Sequence, residues 1–256
     1  MQRRPIPRAS QLAGKDWIDD FFDEDWLEYG FALREGEDVD RTVAFVEWAL
    51  GGPCKVLDLA CGNGRVAIPL AARGYDVLGV DFQPNYVERA EARAKTVNSN
   101  ARFDVVDMRE LAYADEFDAV IWIWTSFGYF DDDTNYDILG RVLKALHSEG
   151  TFVLQVINRD WVIRHFQPYG WQWAGQGRIL EERRFDLNES AAITEWTFVK
   201  PDGGQTTKET WNRLYSWHEL KRLLETAGFA EPTAWGAIDE RLTFNHNAIW
   251  AVSRRP

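Results

Sequence analysis

Apolar positions fall at helical spacing at Val39, Val43, Val46 and Leu50, a single stripe that stops at Gly51-Gly52-Pro53 and predicts a helix leading into a strand. From Val56 the pattern alternates. Short apolar runs over 55–60, 75–80, 102–106 and 117–124 read as strands; the stretches 65–73 and 84–95 between them read as helices, the second opened by Pro84 at a first-turn position. Ile138, Leu139, Val142, Leu143 and Leu146 mark a helix after the fourth strand, Gly150 closes it, and 151–157 is a fifth strand. Strand and helix in alternation imply a parallel sheet with helices on both faces. Ligands of such sheets bind outside the carboxyl ends of the strands, where Asp58, Asp81, Asp107 and Trp124 fall.

After residue 165 the rhythm changes. Residues 170–215 carry no helical stripe but hold runs such as 178–185 and 192–199 around a Pro201-Asp202-Gly203-Gly204 turn, which predicts an inserted antiparallel sheet. Ser216-Trp217-His218-Glu219 is a capping box, and Leu220, Leu223, Leu224 and Ala227 give its helix a buried face. Strands near 231–237 and 247–253 bring the main sheet to seven. Toward the N-terminus, residues 10–35 interleave acids with Trp17, Phe21, Phe22, Trp26 and Tyr29, as helices do that turn aromatics inward.

The densest chemistry lies in Lys55-Val56-Leu57-Asp58-Leu59-Ala60-Cys61-Gly62-Asn63-Gly64, with Asp81 ending the next apolar run. A tight small-residue turn after a strand lets backbone approach a ligand where a Cβ would obstruct it. Asp81 is placed to accept hydrogen bonds from both hydroxyls of a ribose. Gly62-Asn63-Gly64-Arg65-Val66-Ala67 also satisfies the G-x-G-x-x-A form of the dinucleotide fingerprint, which keeps an NAD-dependent oxidoreductase in view. Asp58 argues against it. A carboxylate inside the strand is costly to desolvate without a partner, and the amino group of an amino-acid-bearing cofactor supplies one.

Asp58-Leu59-Ala60-Cys61-Gly62-Asn63-Gly64 resembles the first motif of the class I S-adenosylmethionine-dependent methyltransferases, with Ala60 where that family usually has glycine. The likeness runs on through Gly74–Asp81, Asp107-Met108-Arg109, Phe117-Asp118-Ala119-Val120 and Thr125–Phe130, the last similar to the small-molecule branch that includes sugar N,N-dimethyltransferases. The resemblance implies an α/β, Rossmann-like, seven-stranded, mostly parallel sheet with helices on both faces and an inserted antiparallel β cap. Residues 1–38 are expected as a helical, aromatic segment over the cofactor site, 39–165 and 216–256 as the core, and 166–215 as the substrate cap.

The resemblance further implies S-adenosylmethionine as cofactor. Asp58, Ala60, Gly62, Asn63 and Gly64 would meet its methionine end, Asp81 the ribose, Phe82, Asp107 and Met108 the adenine, with Arg41 as a carboxylate clamp and Trp124 beside the donor. Tyr129 brackets the loop after the fourth strand and is assigned to both acceptor binding and catalysis. His165 is the conditional general base, useful if the acceptor is a hydroxyl. Asn158, Trp171, Arg213 and Tyr215 are the remaining acceptor candidates. The implied reaction is methyl transfer to an oxygen or nitrogen of a small molecule, a non-catalytic S-adenosylmethionine-binding or scaffold protein being the other alternative.

Composition narrows the partners. The 256 residues, 45% of them hydrophobic, suffice for one large domain or one domain with a small appendage. A net charge of -12 disfavours nucleic acid, whose phosphates call for a positive field; the basic Arg3, Arg4 and Arg8 do not offset it. No apolar run reaches the length of a membrane span and the first residues lack a signal-peptide core, so a cytoplasmic location with no membrane partner is expected. Cys54 and Cys61 are too few for a disulfide framework or a zinc site, and no histidine has metal-ligand spacing, so no metal is expected. Oligomeric state is left open.

Overall fold

The computed structural model describes residues 15–31 and 36–256, and these divide into two compact units. The larger comprises 36–127, 133–164 and 215–256, and the smaller 15–31, 128–132 and 165–214. Residues 10–14 and 32–35, and the arginines of the basic arm, lie outside the described residues.

In the larger unit, helix α2 (Glu37–Leu50) begins two residues before the predicted stripe, with Glu37, Asp38 and Asp40 in its first turn, where the helix dipole favours negative charge. It ends at Gly51 in a left-handed conformation. Strands β1 (Lys55–Leu59), β2 (Asp76–Asp81), β3 (Arg102–Val105), β4 (Phe117–Trp122) and β5 (Leu146–Ile157) lie parallel in the order β5-β4-β1-β2-β3. Helices α3 (Ala67–Ala72), α4 (Pro84–Thr96) and α5 (Asp132–Ala145) connect them, the last reaching into this unit from residue 133. Central strands such as β1 are buried on both faces, which is why they read as continuous apolar runs. Val56, Leu57, Val120, Ile121 and Trp122 have no exposed surface.

Beyond β5 the sheet continues antiparallel through β12 (Ala248–Arg254), β10 (Thr233–Ala237) and the two-residue β11 (Glu240–Arg241). The sheet therefore has eight strands, one more than the apolar runs predict, because Glu240 and Arg241 pair at the edge with no hydrophobic signature of their own. Helix α6 (Arg159–Arg164) follows β5, and α7 (Trp217–Thr226) opens on the predicted capping box, formed reciprocally by Ser216 and Glu219.

Two local readings change. The first-motif helix starts at Ala67, not Arg65, since Gly64 to Val66 are still in the turn. Gly150 does not close a helix: α5 gives way directly to β5, Leu146 pairs with Phe117, and the chain bulges before Thr151 pairs with Ala119. Gly150 serves that bulge, where an added Cβ would lie 2.8 Å from the His147 carbonyl oxygen.

The smaller unit is built on the antiparallel sheet β6 (Tyr169–Ala174), β7 (Gly177–Asp186), β8 (Ala191–Val199) and β9 (Gln205–Arg213), the insert predicted from the sequence. Helix α1 (Lys15–Phe21) and a π-helical turn (Trp26–Gly30) belong to the same unit. Phe21 and Trp26 meet Trp196 and Phe198 of β8 with ring centroids 4.8 to 6.5 Å apart, including the Phe21–Trp26 pair itself. Lys208 on β9 and Lys200 in the turn after β8 pair with Asp23 and Asp25, so the acids and aromatics of the N-terminal segment are both used in holding it. Gly128, φ +99°, lies against Arg213, whose carbonyl oxygen would be 2.3 Å from an added Cβ.

Candidate cofactor and active site

Sheet order reverses between β1's neighbours, β4 on one side and β2 on the other, so the carboxyl ends of these strands frame a topological switch point. Asp58, the penultimate residue of β1, sits there at 2% exposure, and Asp81, the last of β2, at 6%. Asp81 Oδ2 accepts from the Gly62 N–H at 2.9 Å and Oδ1 from the Gln83 N–H at 3.0 Å, which ties the first-motif turn to the end of β2.

The turn itself is left-handed at three points: Ala60 at φ 58°, Gly62 at 55° and Gly64 at 73°. At Gly64 an added Cβ would stand 2.8 Å from the Phe103 ring. Ala60 carries a Cβ in a conformation suited to glycine, a local strain of the kind that collects at functional sites. Asn63 is 7% exposed, and its Oδ1 has no hydrogen-bond partner among the described residues.

Both acids resist ionisation. Burial, then the negative charge of Asp81, pushes the Asp58 carboxyl up to about 7, against the opposing pull of Arg65 and the Ala67 N–H. Burial pushes Asp81 up to about 6, offset by the N–H groups of Gln83, Gly62 and Phe82. A buried pair of acids with an unpartnered amide acceptor in the turn between them has the chemistry of a site for a ligand that brings positive charge and hydroxyl donors.

Trp124 lies just beyond β4. Its N–H donates to Gln155 Oε1 of β5 at 2.8 Å, and the Arg65 guanidinium lies 4.3 Å from its ring centroid. Neither Arg65 nor Gln155 was among the residues the sequence singled out; the one signal was Gln155 as a lone polar residue in the apolar run of β5.

The other candidates are dispersed. Met108 is buried at the end of β3, in a 3-10 turn capped by Asp107, whose carboxylate takes the Arg109 N–H at 2.9 Å and the Arg109 guanidinium at 3.0 and 3.1 Å. Phe82 follows Asp81 directly and is half-buried. Arg41 is exposed on α2 and paired with Asp38 at 2.9 Å and Glu37 at 3.6 Å. Asn158 is buried, its Nδ2 donating to the His246 carbonyl at 2.9 Å and its Oδ1 accepting from the Asp160 N–H at 3.1 Å. The Tyr215 hydroxyl, also buried, accepts from Asn135 Nδ2 at 3.2 Å.

In the smaller unit, Tyr129 stands against Trp17 and Phe22, at 5.7 and 5.3 Å between centroids. Arg213 pairs with Asp132 at 3.2 Å, Trp171 is 60% exposed beside Trp173, and His165 is exposed. Among the described residues, no group of three or more His, Cys, Asp or Glu is arranged to hold a metal ion, and no helix is long and apolar enough to cross a membrane.

Residues 56–150, from β1 into β5, match the methyltransferase domain family. This stretch is similar to that domain, in line with the motif resemblance, and the chain shares its fold with solved methyltransferases. The CcbJ methyltransferase of Streptomyces caelestis superposes with a TM-score of 0.76 at 20% identity, covering 93% of this chain and 94% of its own. CalS10 of Micromonospora echinaspora, an amino pentose methyltransferase solved with S-adenosylmethionine bound, superposes at 0.63 with 16% identity, covering 100% of each chain. In sequence, the chain is 28% identical over 191 residues to a glycine/sarcosine N-methyltransferase of Parasynechococcus marenigrum, 72% of this chain and 66% of that protein. The chain spans about half the length of other curated methyltransferases it matches.

Proposed function

We propose that this chain is an S-adenosylmethionine-dependent methyltransferase acting on an oxygen or nitrogen of a small molecule. The observation that carries the reading is the buried Asp58–Asp81 pair at the switch point, with the left-handed Ala60–Gly64 turn between them. The residues suit this cofactor. Asp58 offers a negative partner for its ammonium, the turn leaves room for backbone to approach, Asn63 Oδ1 is a buried acceptor in need of a donor, and Asp81 keeps lone pairs for the ribose hydroxyls.

When bound, the cofactor supplies a methyl group already activated on a sulfonium. This chain's residues have correspondingly little acid-base work to do. Their task is to hold donor and acceptor in line at about 3 to 3.5 Å and to exclude water. We assign Phe82 and Met108 to the adenine and Trp124 to the wall beside the donor. Asp107, already engaged by Arg109, reaches an adenine only by sharing that ion pair, and Arg41 serves as a clamp only on leaving its two acids. Tyr129, Trp171 and Arg213 are assigned to acceptor recognition, with His165 as base where the acceptor is a hydroxyl. Asn158 and Tyr215 act on the acceptor only indirectly, since their polar groups are bonded within the fold.

The acidic chain and the small-molecule names of its relatives support a small acceptor over a nucleic acid. Calorimetry with S-adenosylmethionine and S-adenosylhomocysteine tests the cofactor, and a mass-spectrometric screen for a methyl-mass gain across amine and hydroxyl acceptors tests the reaction. Folded protein that binds neither cofactor form sinks the proposal.

A further inference from the structure

Ile123 ends the buried run of β4, and the next two residues, Trp124 and Thr125, are both left-handed, at φ 64° and 66°. One such residue without glycine is uncommon, and for β-branched Thr125 the conformation is a genuine outlier. Two in succession persist only where their surroundings over-determine them. The surroundings here come from two other elements. Gln155 projects from β5, between buried Leu154 and Val156, and its Oε1 takes the Trp124 N–H at 2.8 Å. From the first-motif turn, the Arg65 guanidinium lies over the Trp124 ring at 4.3 Å. Ser126 Oγ closes the turn on the Ile123 carbonyl at 3.2 Å.

Gln155 is half-buried on the face opposite to that of Leu154 and Val156, and its amide oxygen takes this backbone N–H. Arg65 in turn links the turn that cradles the methionine end to the residue after β4. We infer that Gln155 and Arg65 are positioning residues that hold the strained Trp124-Thr125 turn at the carboxyl edge of the sheet, so that the cofactor meets a wall already in place. The inference rests on the proposed cofactor site. Neither residue needs to touch the ligand; Gln155 acts through the Trp124 backbone and Arg65 through its ring.

The test is calorimetric titration of S-adenosylhomocysteine into wild type, Gln155→Leu, Arg65→Met and the double variant Gln155→Leu/Thr125→Gly, each with a thermal melt. Loss of the acceptor for the Trp124 N–H should weaken binding by about fivefold or more. Glycine at 125 removes the left-handed penalty that Gln155 counters and should bring affinity back to within about twofold of wild type, a rescue that a general packing defect would not show. If Gln155→Leu fails to fold, Arg65→Met on the half-buried turn carries the same expectation, measured above pH 8 so that its pull on Asp58 does not enter, with Arg65→Lys, which keeps a cation over the ring, expected to bind nearer to wild type. Variants that bind as wild type does, or a glycine that restores nothing, overturn the inference while leaving the cofactor site standing. A wild-type protein that does not bind at all overturns the site itself.

Discussion

Cofactor affinity measured across neutral pH isolates Asp58. Its carboxyl is 2% exposed and is pushed up to about 7 by burial and by the Asp81 charge. An ammonium binds the ionised acid and not the neutral one, so binding must release a proton wherever the free protein holds Asp58 protonated. From a free-protein value of about 7 and a bound value well below it, affinity should be flat above pH 8, then weaken by about twofold at pH 7, about tenfold at pH 6 and about a hundredfold at pH 5. Asp81, pushed up to about 6, should steepen the fall below that value if the ribose hydroxyls favour its ionised form. Calorimetry with S-adenosylhomocysteine at constant ionic strength, in buffers of different ionisation enthalpy, reads both the affinity and the protons released. Asp58→Asn should bind more weakly at pH 8 and lose most of the slope between pH 8 and 6. A wild-type Kd that changes less than twofold over that interval refutes the reasoning, as does an Asn variant that keeps the full slope.

The same upward shifts act on folding of the ligand-free chain. A carboxyl raised in the folded state stabilises it fully below its unfolded value, near 3.8, and that contribution is lost as pH rises through about 6 for Asp81 and about 7 for Asp58. Asp58→Asn should therefore stabilise the ligand-free chain at pH 8 by up to a few kcal/mol, read as a higher Tm, and change its stability little at pH 4; an unchanged Tm at both values counts against a buried charge. Ala60→Gly, at a residue with φ 58°, should stabilise by about 1 kcal/mol in a denaturant melt, and destabilisation would show that the Cβ is in favourable contact. Asp81→Ala should cost about 1 to 3 kcal/mol of cofactor affinity through lost charge-assisted hydrogen bonds, and wild-type affinity would remove Asp81 from the ribose.

The central strands β1 and β4 were legible because they are buried on both faces, so their residues had to be apolar along nearly the whole run; against that background Asp58 stood out as a polar group with a purpose. The first-motif turn was legible for a related reason, since its left-handed positions demand small residues at 60, 62 and 64, every second place in sequence. Edge strand β11 was not, as its two residues are exposed and polar and carry no hydrophobic signature of their own. Nor was the bulge at Gly150, which depends on Leu146 reaching Phe117 across the sheet. The hardest features were side chains defined by distant partners. Asn158 and Tyr215, assigned from the sequence to the acceptor, bond His246 and Asn135, 88 and 80 residues away. Gln155 and Arg65 meet Trp124 from two different elements, a convergence that no local pattern announces.

A crystal structure of the chain with S-adenosylhomocysteine tests the central claim most directly. The ligand's ammonium is expected joined to Asp58 directly or through one water, its ribose hydroxyls on Asp81, and its adenine beside Phe82 and Met108. A ligand bound away from the β1 and β2 ends, or a cleft closed by side chains at saturating ligand, would contradict it.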